Sequence, residues 1–107
     1  MDEKEIMGLY ENDEEAQDVL QASRKRIDEI DNDLVNLISE RTSLAKDIVS
    51  AKVYLGMEIY DKSREDEVHA KVSKLAQEKN IDDDILGDIM NMLTILSKNK
   101  QRELLEE

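Results

Sequence analysis

Cysteine, proline, phenylalanine and tryptophan are all absent from this chain of 107 residues, and glycine occurs only three times. Without cysteine there is no disulfide framework and no thiol chemistry, which fits a reducing compartment. Without proline, nothing in the chain forces a long helix to kink or stop. No apolar run is long enough for a membrane span or the core of a signal peptide, so the expected location is the cytoplasm, with no membrane partner. One histidine, His69, and no cysteine leave zinc without a ligand set. His69 follows Val68 and reads as a partly exposed helix residue. The stretch NIDDD, residues 80–84, lacks the ligand pattern of an EF-hand loop. There is no glycine-rich phosphate loop and no nucleophile elbow. The expectation is therefore no metal, no cofactor and no covalent catalyst.

What the chain does have is charge, 39% of its residues, with a formal net charge of -12. Such a surface repels nucleic acid and anionic membranes. It would repel an anionic substrate as well, unless a few cations are gathered in a cleft. High charge combined with Leu-, Ile- and Ala-rich stripes favours an all-α protein.

Residues 1–15, MDEKEIMGLYENDEE, are acidic and carry little periodicity. They read as a flexible N-terminal arm that ends in a cap at Asn12 or Asp13. Residues 16–107 read as one helical domain. Its first helix is predicted over residues 14–55, with Gly56 as the stop. The apolar positions Leu20, Ile27, Ile30, Leu34, Leu37, Leu44, Ile48, Ala51 and Leu55 form a heptad seam along it. A rod of that length measures roughly 60 Å, whereas a compact domain of this size has a radius of gyration of only ~13 Å. It must pair with another chain or lie against two shorter helices placed end to end. Two such helices follow, predicted over residues 62–79 and 83–104. Asp61 or Ser63 can cap the first of them, and Asn80 suits its end. Its apolar stripe is Val68, Val72, Leu75 and Ala76; the last helix carries Ile85, Leu86, Ile89, Leu93, Leu96 and Leu104.

Several polar residues fall on these apolar stripes. Arg41 occupies a seam position between Leu37 and Leu44. A guanidinium there is costly unless an anion meets it. Lys52 lies eleven residues further on, nearly on the same face and ~16 Å along the axis. Arg64 and Glu65 stand one turn before Val68, and Ser97 and Gln101 continue the line of Ile85, Ile89 and Leu93. Each has an ordinary structural explanation. An arginine on a seam can snorkel or set register. Lys52 and Glu65 suit their helix ends, Arg64 can be surface charge, and Ser97 with Gln101 can mark where the stripe stops. Three inward cations without an equal set of inward anions nevertheless imply a ligand with about two negative charges. Arg24 is a fourth candidate, but it lies 17 residues before Arg41, roughly 25 Å along the rod. One small ligand cannot touch both from a single helix, so Arg24 would have to come from a second chain.

RKRIDEIDNDLVNLISERTSLAKDIVSAK, followed by IYDKSRED and the C-terminal SKNKQ, resembles the all-helical chorismate mutase family. The resemblance covers about residues 20–104 and rests on scattered polar residues at fixed separations on three helices. It implies an intertwined helical-bundle homodimer, each chain giving one long and two shorter helices. It also implies the rearrangement of chorismate to prephenate, in the branch leading to phenylalanine and tyrosine. The family's site residues fall on Arg24 (supplied by the partner chain), Arg41, Lys52, Asp61, Arg64, Glu65, Ser97 and Gln101. Their implied roles are carboxylate binding for Arg24 and Arg41, with Ser97 and Arg64 assisting. Glu65, with the backbone near Asp61, would receive the ring hydroxyl, and Lys52 and Gln101 would donate to the ether oxygen. Many members have proline in the connector where Glu58 stands, a difference that loosens the turn. No further enzyme domain is expected, which suggests a stand-alone form. Two other readings fit the same pattern: an isochorismate-pyruvate lyase on this scaffold, and a non-catalytic helical dimer or regulatory module.

Overall fold

The computed structural model describes residues 1–106, which form five helices and no strand. These are α1 (Glu3–Met7), α2 (Asp13–Ser43), α3 (Ala45–Tyr54), α4 (Lys62–Lys79) and α5 (Asp83–Glu106). The chain divides into two compact units, Met1–Leu37 and Ile38–Glu107, with the boundary inside α2.

In the first unit, the acidic segment contains a single helical turn that its weak periodicity does not announce. Asp2 caps it by accepting the Glu5 N–H at 2.8 Å, and Gly8 closes it. Asn12 is the cap that starts α2, accepting from the Glu15 N–H at 2.9 Å, while the Glu15 carboxylate reaches back to the Glu11 N–H at 3.2 Å. No residue of α1 or α2 is buried in the single chain. Leu20, Ile27, Ile30, Leu34 and Leu37 all face open solvent. The stripe is present as expected, but it has nothing to pack on within its own unit.

The rod expected over residues 14–55 is α2 plus α3, interrupted at Leu44. The cause is local. Thr42 Oγ1 donates to the Ile38 carbonyl at 2.8 Å and Ser43 Oγ to the Glu40 carbonyl at 2.6 Å. Hydroxyls that bond back along the helix compete with its ladder and bend it. The Leu44 N–H consequently tightens onto Arg41 O, three residues back, before the ladder resumes with Ile48 N–H donating to Leu44 O at 3.0 Å.

In the second unit α5 packs against both α3 and α4. The fully packed side chains are small: Ala45 and Ala76 at 0% exposure, with Val49 and Val72 close behind. Small residues let the helix axes approach. The packed face of α3 is therefore one position round from the seam read in the sequence, which ran through Leu44 and Ile48. Those two remain exposed in the single chain. On α5, Leu86, Leu93 and Leu104 turn inward, whereas Ile85, Ile89 and Leu96 are exposed, giving that helix a second, unpartnered apolar face. On α4, Val72 and Ala76 are buried and Leu75 is not.

The helix ends follow the expected chemistry. Asp61 accepts the Arg64 N–H at 3.1 Å and starts α4, and Asn80, in the left-handed region at φ 55°, ends it. Asp82 caps α5 by accepting the Ile85 N–H at 2.9 Å. Gly56, at φ 71°, closes α3 in a Schellman turn: Met57 N–H donates to Lys52 O at 2.8 Å and Gly56 N–H to Val53 O at 3.1 Å. A Cβ on Gly56 would meet nothing within 4 Å. Gly56→Ala should therefore cost only the left-handed penalty, about 1 kcal/mol. The urea midpoint would fall accordingly, with the slope unchanged. No described helix is long and apolar enough to cross a membrane.

Candidate active site

Residues from the last turn of α2, from one face of α3, from the connector after it, from the start of α4 and from the C-terminal half of α5 line an open cavity of about 490 Å³. Arg41 and Lys52 enter it from the two sides of the helix break, Asp61, Arg64 and Glu65 from the start of α4, and Ser97 and Gln101 from α5. Leu44, Ile48, Ile59 and Val68 supply its apolar wall, and Thr94 and Lys98 also line it. Of the eight residues proposed from sequence, these seven meet in one place. The eighth, Arg24, belongs to the other unit, is exposed, and does not line the cavity.

The polar groups are held by specific bonds. Lys52 Nζ donates to the Ile59 carbonyl at 2.6 Å and to Gln101 Oε1 at 3.0 Å. Gln101, 3% exposed, in turn donates from Nε2 to Ser97 Oγ at 3.2 Å. An ammonium has three N–H donors and an amide nitrogen two. Lys52 and Gln101 are thus left with one spare donor each, side by side. Arg41 Nη1 donates to the Leu93 carbonyl at 3.0 Å, using a lone pair beyond the one the helix itself requires. Among the described residues neither Arg41 nor Lys52 forms an ion pair. Two half-buried cations bonded only to neutral acceptors are a standing demand for an anion.

Acids and cations at the rim are partly committed elsewhere. Arg64 is largely exposed and pairs with Glu67 at 2.9 Å, a surface bond weak enough to yield to a ligand. One Asp61 carboxylate oxygen is taken by its capping role. Beside it but outside the cavity, Lys62 has its ammonium held above the ordinary lysine range by its hydrogen bond to the Asp66 carboxylate. Glu65 is half-buried and paired with Lys98, whose ammonium lies 3.1 Å from Glu65 Oε2.

The family model described as chorismate mutase type II matches residues 23–102. The chain belongs to that family. A chorismate mutase of Methanocaldococcus jannaschii is 44% identical over 84 residues, covering 78% of this chain and 85% of that protein. Family membership supplies the reaction, the isomerisation of chorismate.

Lys98 was not singled out in the sequence. It stands three residues before Gln101 and four after Thr94, so it shares the cavity face of α5. That spacing was available as a signal. A lysine among KNK reads first as solvated surface, and its carboxylate partner is 33 residues away.

Proposed function

We propose that this chorismate mutase converts chorismate to prephenate in the 490 Å³ cavity, by an intramolecular [3,3] rearrangement with no covalent intermediate. One C–O bond breaks as one C–C bond forms; no proton has to move and no nucleophile is required. The observation that carries this reading is the pair of adjacent spare donors on Lys52 and Gln101, whose side chains are 3.0 Å apart. Negative charge builds on the ether oxygen as the C–O bond stretches. Two preorganised donors that can meet on one atom stabilise that charge without reorganisation. Arg41, with its fork free of carboxylate partners, grips a substrate carboxylate. Ser97 and Arg64 assist, and Glu65 accepts the ring hydroxyl near Asp61. Holding both ends of the flexible substrate favours the chair-like conformer in which the reacting carbons approach.

The working unit is a homodimer. The exposed stripe from Leu20 to Leu37 and the exposed α5 face of Ile85, Ile89 and Leu96 require cover, and a second copy supplies matching apolar faces. Arg24 lies on that stripe, one turn from both Leu20 and Ile27. A copy that covers the stripe therefore meets Arg24 and can receive it into its own cavity as the second carboxylate clamp.

A chorismate-depletion assay with product identification tests the reaction. Prephenate is the expected product; if the protein instead releases salicylate and pyruvate when given isochorismate, and no prephenate from chorismate, the reading becomes that of a lyase. Specific activity should fall on dilution as the shared sites dissociate. Gln101→Glu tests the donor pair. A carboxylate beside Lys52 has no proton to donate, so this variant should work only at acid pH, where the new carboxyl is protonated. An unchanged pH profile would contradict a bond from Gln101 to the reacting ether.

A further inference from the structure

The cavity contains an ion pair, Lys98 with Glu65, of which the reaction scheme leaves Lys98 unused. Lys98 Nζ sits 3.1 Å from Glu65 Oε2 and 3.3 Å from Oε1, so a single ammonium straddles both oxygens. The two side chains are only 18% and 27% exposed. The Tyr60 ring lies under the same ammonium, 5.2 Å from centroid to nitrogen, close enough for a cation–π attraction. Both Lys98 and Glu65 line the cavity.

We propose that Lys98 is a positioning residue that locks the Glu65 carboxylate to receive the ring hydroxyl of the substrate, and so makes the enzyme selective for where that hydroxyl stands. This rests on the functional reading above and deepens it. A carboxylate in a partly buried wall needs a counter-charge to stay ionised and in place. A donor centred between its two oxygens does more than neutralise it: the plane of the carboxylate can no longer turn freely about its last bond. The lone pairs left over then point in a fixed direction. The attraction of the Tyr60 ring helps to hold the ammonium where it meets Glu65. Lys98 therefore acts through Glu65, and its contribution is realised only with a substrate that has a hydroxyl to present.

The test compares chorismate with an analogue whose ring hydroxyl is replaced by hydrogen, on wild-type enzyme, Lys98→Met and Lys98→Arg. Lys98→Met keeps the stem and removes the charge. On chorismate its kcat/KM should fall about tenfold to a hundredfold, the range expected for a misplaced orienting group. Lys98→Arg should recover most of the loss. On the deoxy analogue, wild-type enzyme and Lys98→Met should react at the same rate. Equal losses on both substrates would overturn the proposal, because they would mean that Lys98 serves only stability or the general field of the site. Full activity of Lys98→Met on chorismate would overturn it too. Thermal unfolding of each variant separates loss of fold from loss of orientation. Failure of the wild-type enzyme to rearrange chorismate would instead defeat the functional reading, and this inference with it.

Discussion

Lys52→Ala should lower kcat by ~10² to 10³, the usual cost of removing one preorganised donor to a developing oxyanion. The geometry explains why the loss should fall on kcat rather than on KM. Lys52 is tied to the Ile59 carbonyl at 2.6 Å and to Gln101 at 3.0 Å before any ligand arrives. The ammonium is already held in place by these two bonds, so little is spent on ordering it during the reaction. The ether oxygen carries little charge in the ground state and much more in the transition state, so the interaction strengthens as the bond stretches. Truncation also orphans two acceptors, Ile59 O and Gln101 Oε1, and unties the connector from α3. That part costs about 1 to 3 kcal/mol of stability and would appear in thermal unfolding. Lys52→Met separates the two effects, since it keeps the packing of the stem and loses the donor. Lys52→Arg is not a conservative rescue, because a planar fork cannot reproduce a point charge held between Ile59 and Gln101. A Lys52→Met enzyme that is folded and retains near wild-type kcat would refute the assigned role.

The polar lining of the candidate site was legible in the sequence because its residues violate the pattern that surrounds them. Arg41 interrupts a seam, and Ser97 and Gln101 turn an apolar line polar. The bounds of α4 were equally legible, since Asp61 and Asn80 carry the capping chemistry that the structure uses. Features that depend on competition between nearby groups were not. The break at Leu44 arises from two side-chain hydroxyls, Thr42 and Ser43, each choosing a backbone carbonyl. Either residue alone is common in a continuous helix. The phase of α3 was hidden for another reason. The helix is apolar over a wide arc, and the smaller residues Ala45 and Val49 take the packed position while the bulkier Leu44 and Ile48 stay outside. Hydrophobicity ranks those residues the other way; closeness of approach decides. Lys98 was missed because its partner, Glu65, lies on another helix, and charge reads as surface until a counter-charge is placed opposite it.

Arg24→Ala and Lys52→Ala, each strongly impaired alone, should restore one another when mixed. In the proposed symmetric dimer each site would take Arg24 from one chain and Lys52 from the other. An Arg24→Ala homodimer lacks a carboxylate clamp at both sites, a loss of about 10² or more if the charge contact is desolvated. A mixed dimer is different. The chain that keeps Lys52 receives the intact Arg24 of its partner, and that site is whole; the other site carries both defects. With equal amounts and random exchange, half of the dimers are mixed and each has one good site, so activity should recover to about a quarter of wild type. Co-expression with two different tags, followed by sequential capture of the mixed species, would give about half of the wild-type value per dimer. If Arg24 instead served the site of its own chain, every site in the mixture would carry one defect, and mixing would recover nothing. The exposed position of Arg24 on the uncovered stripe favours recovery.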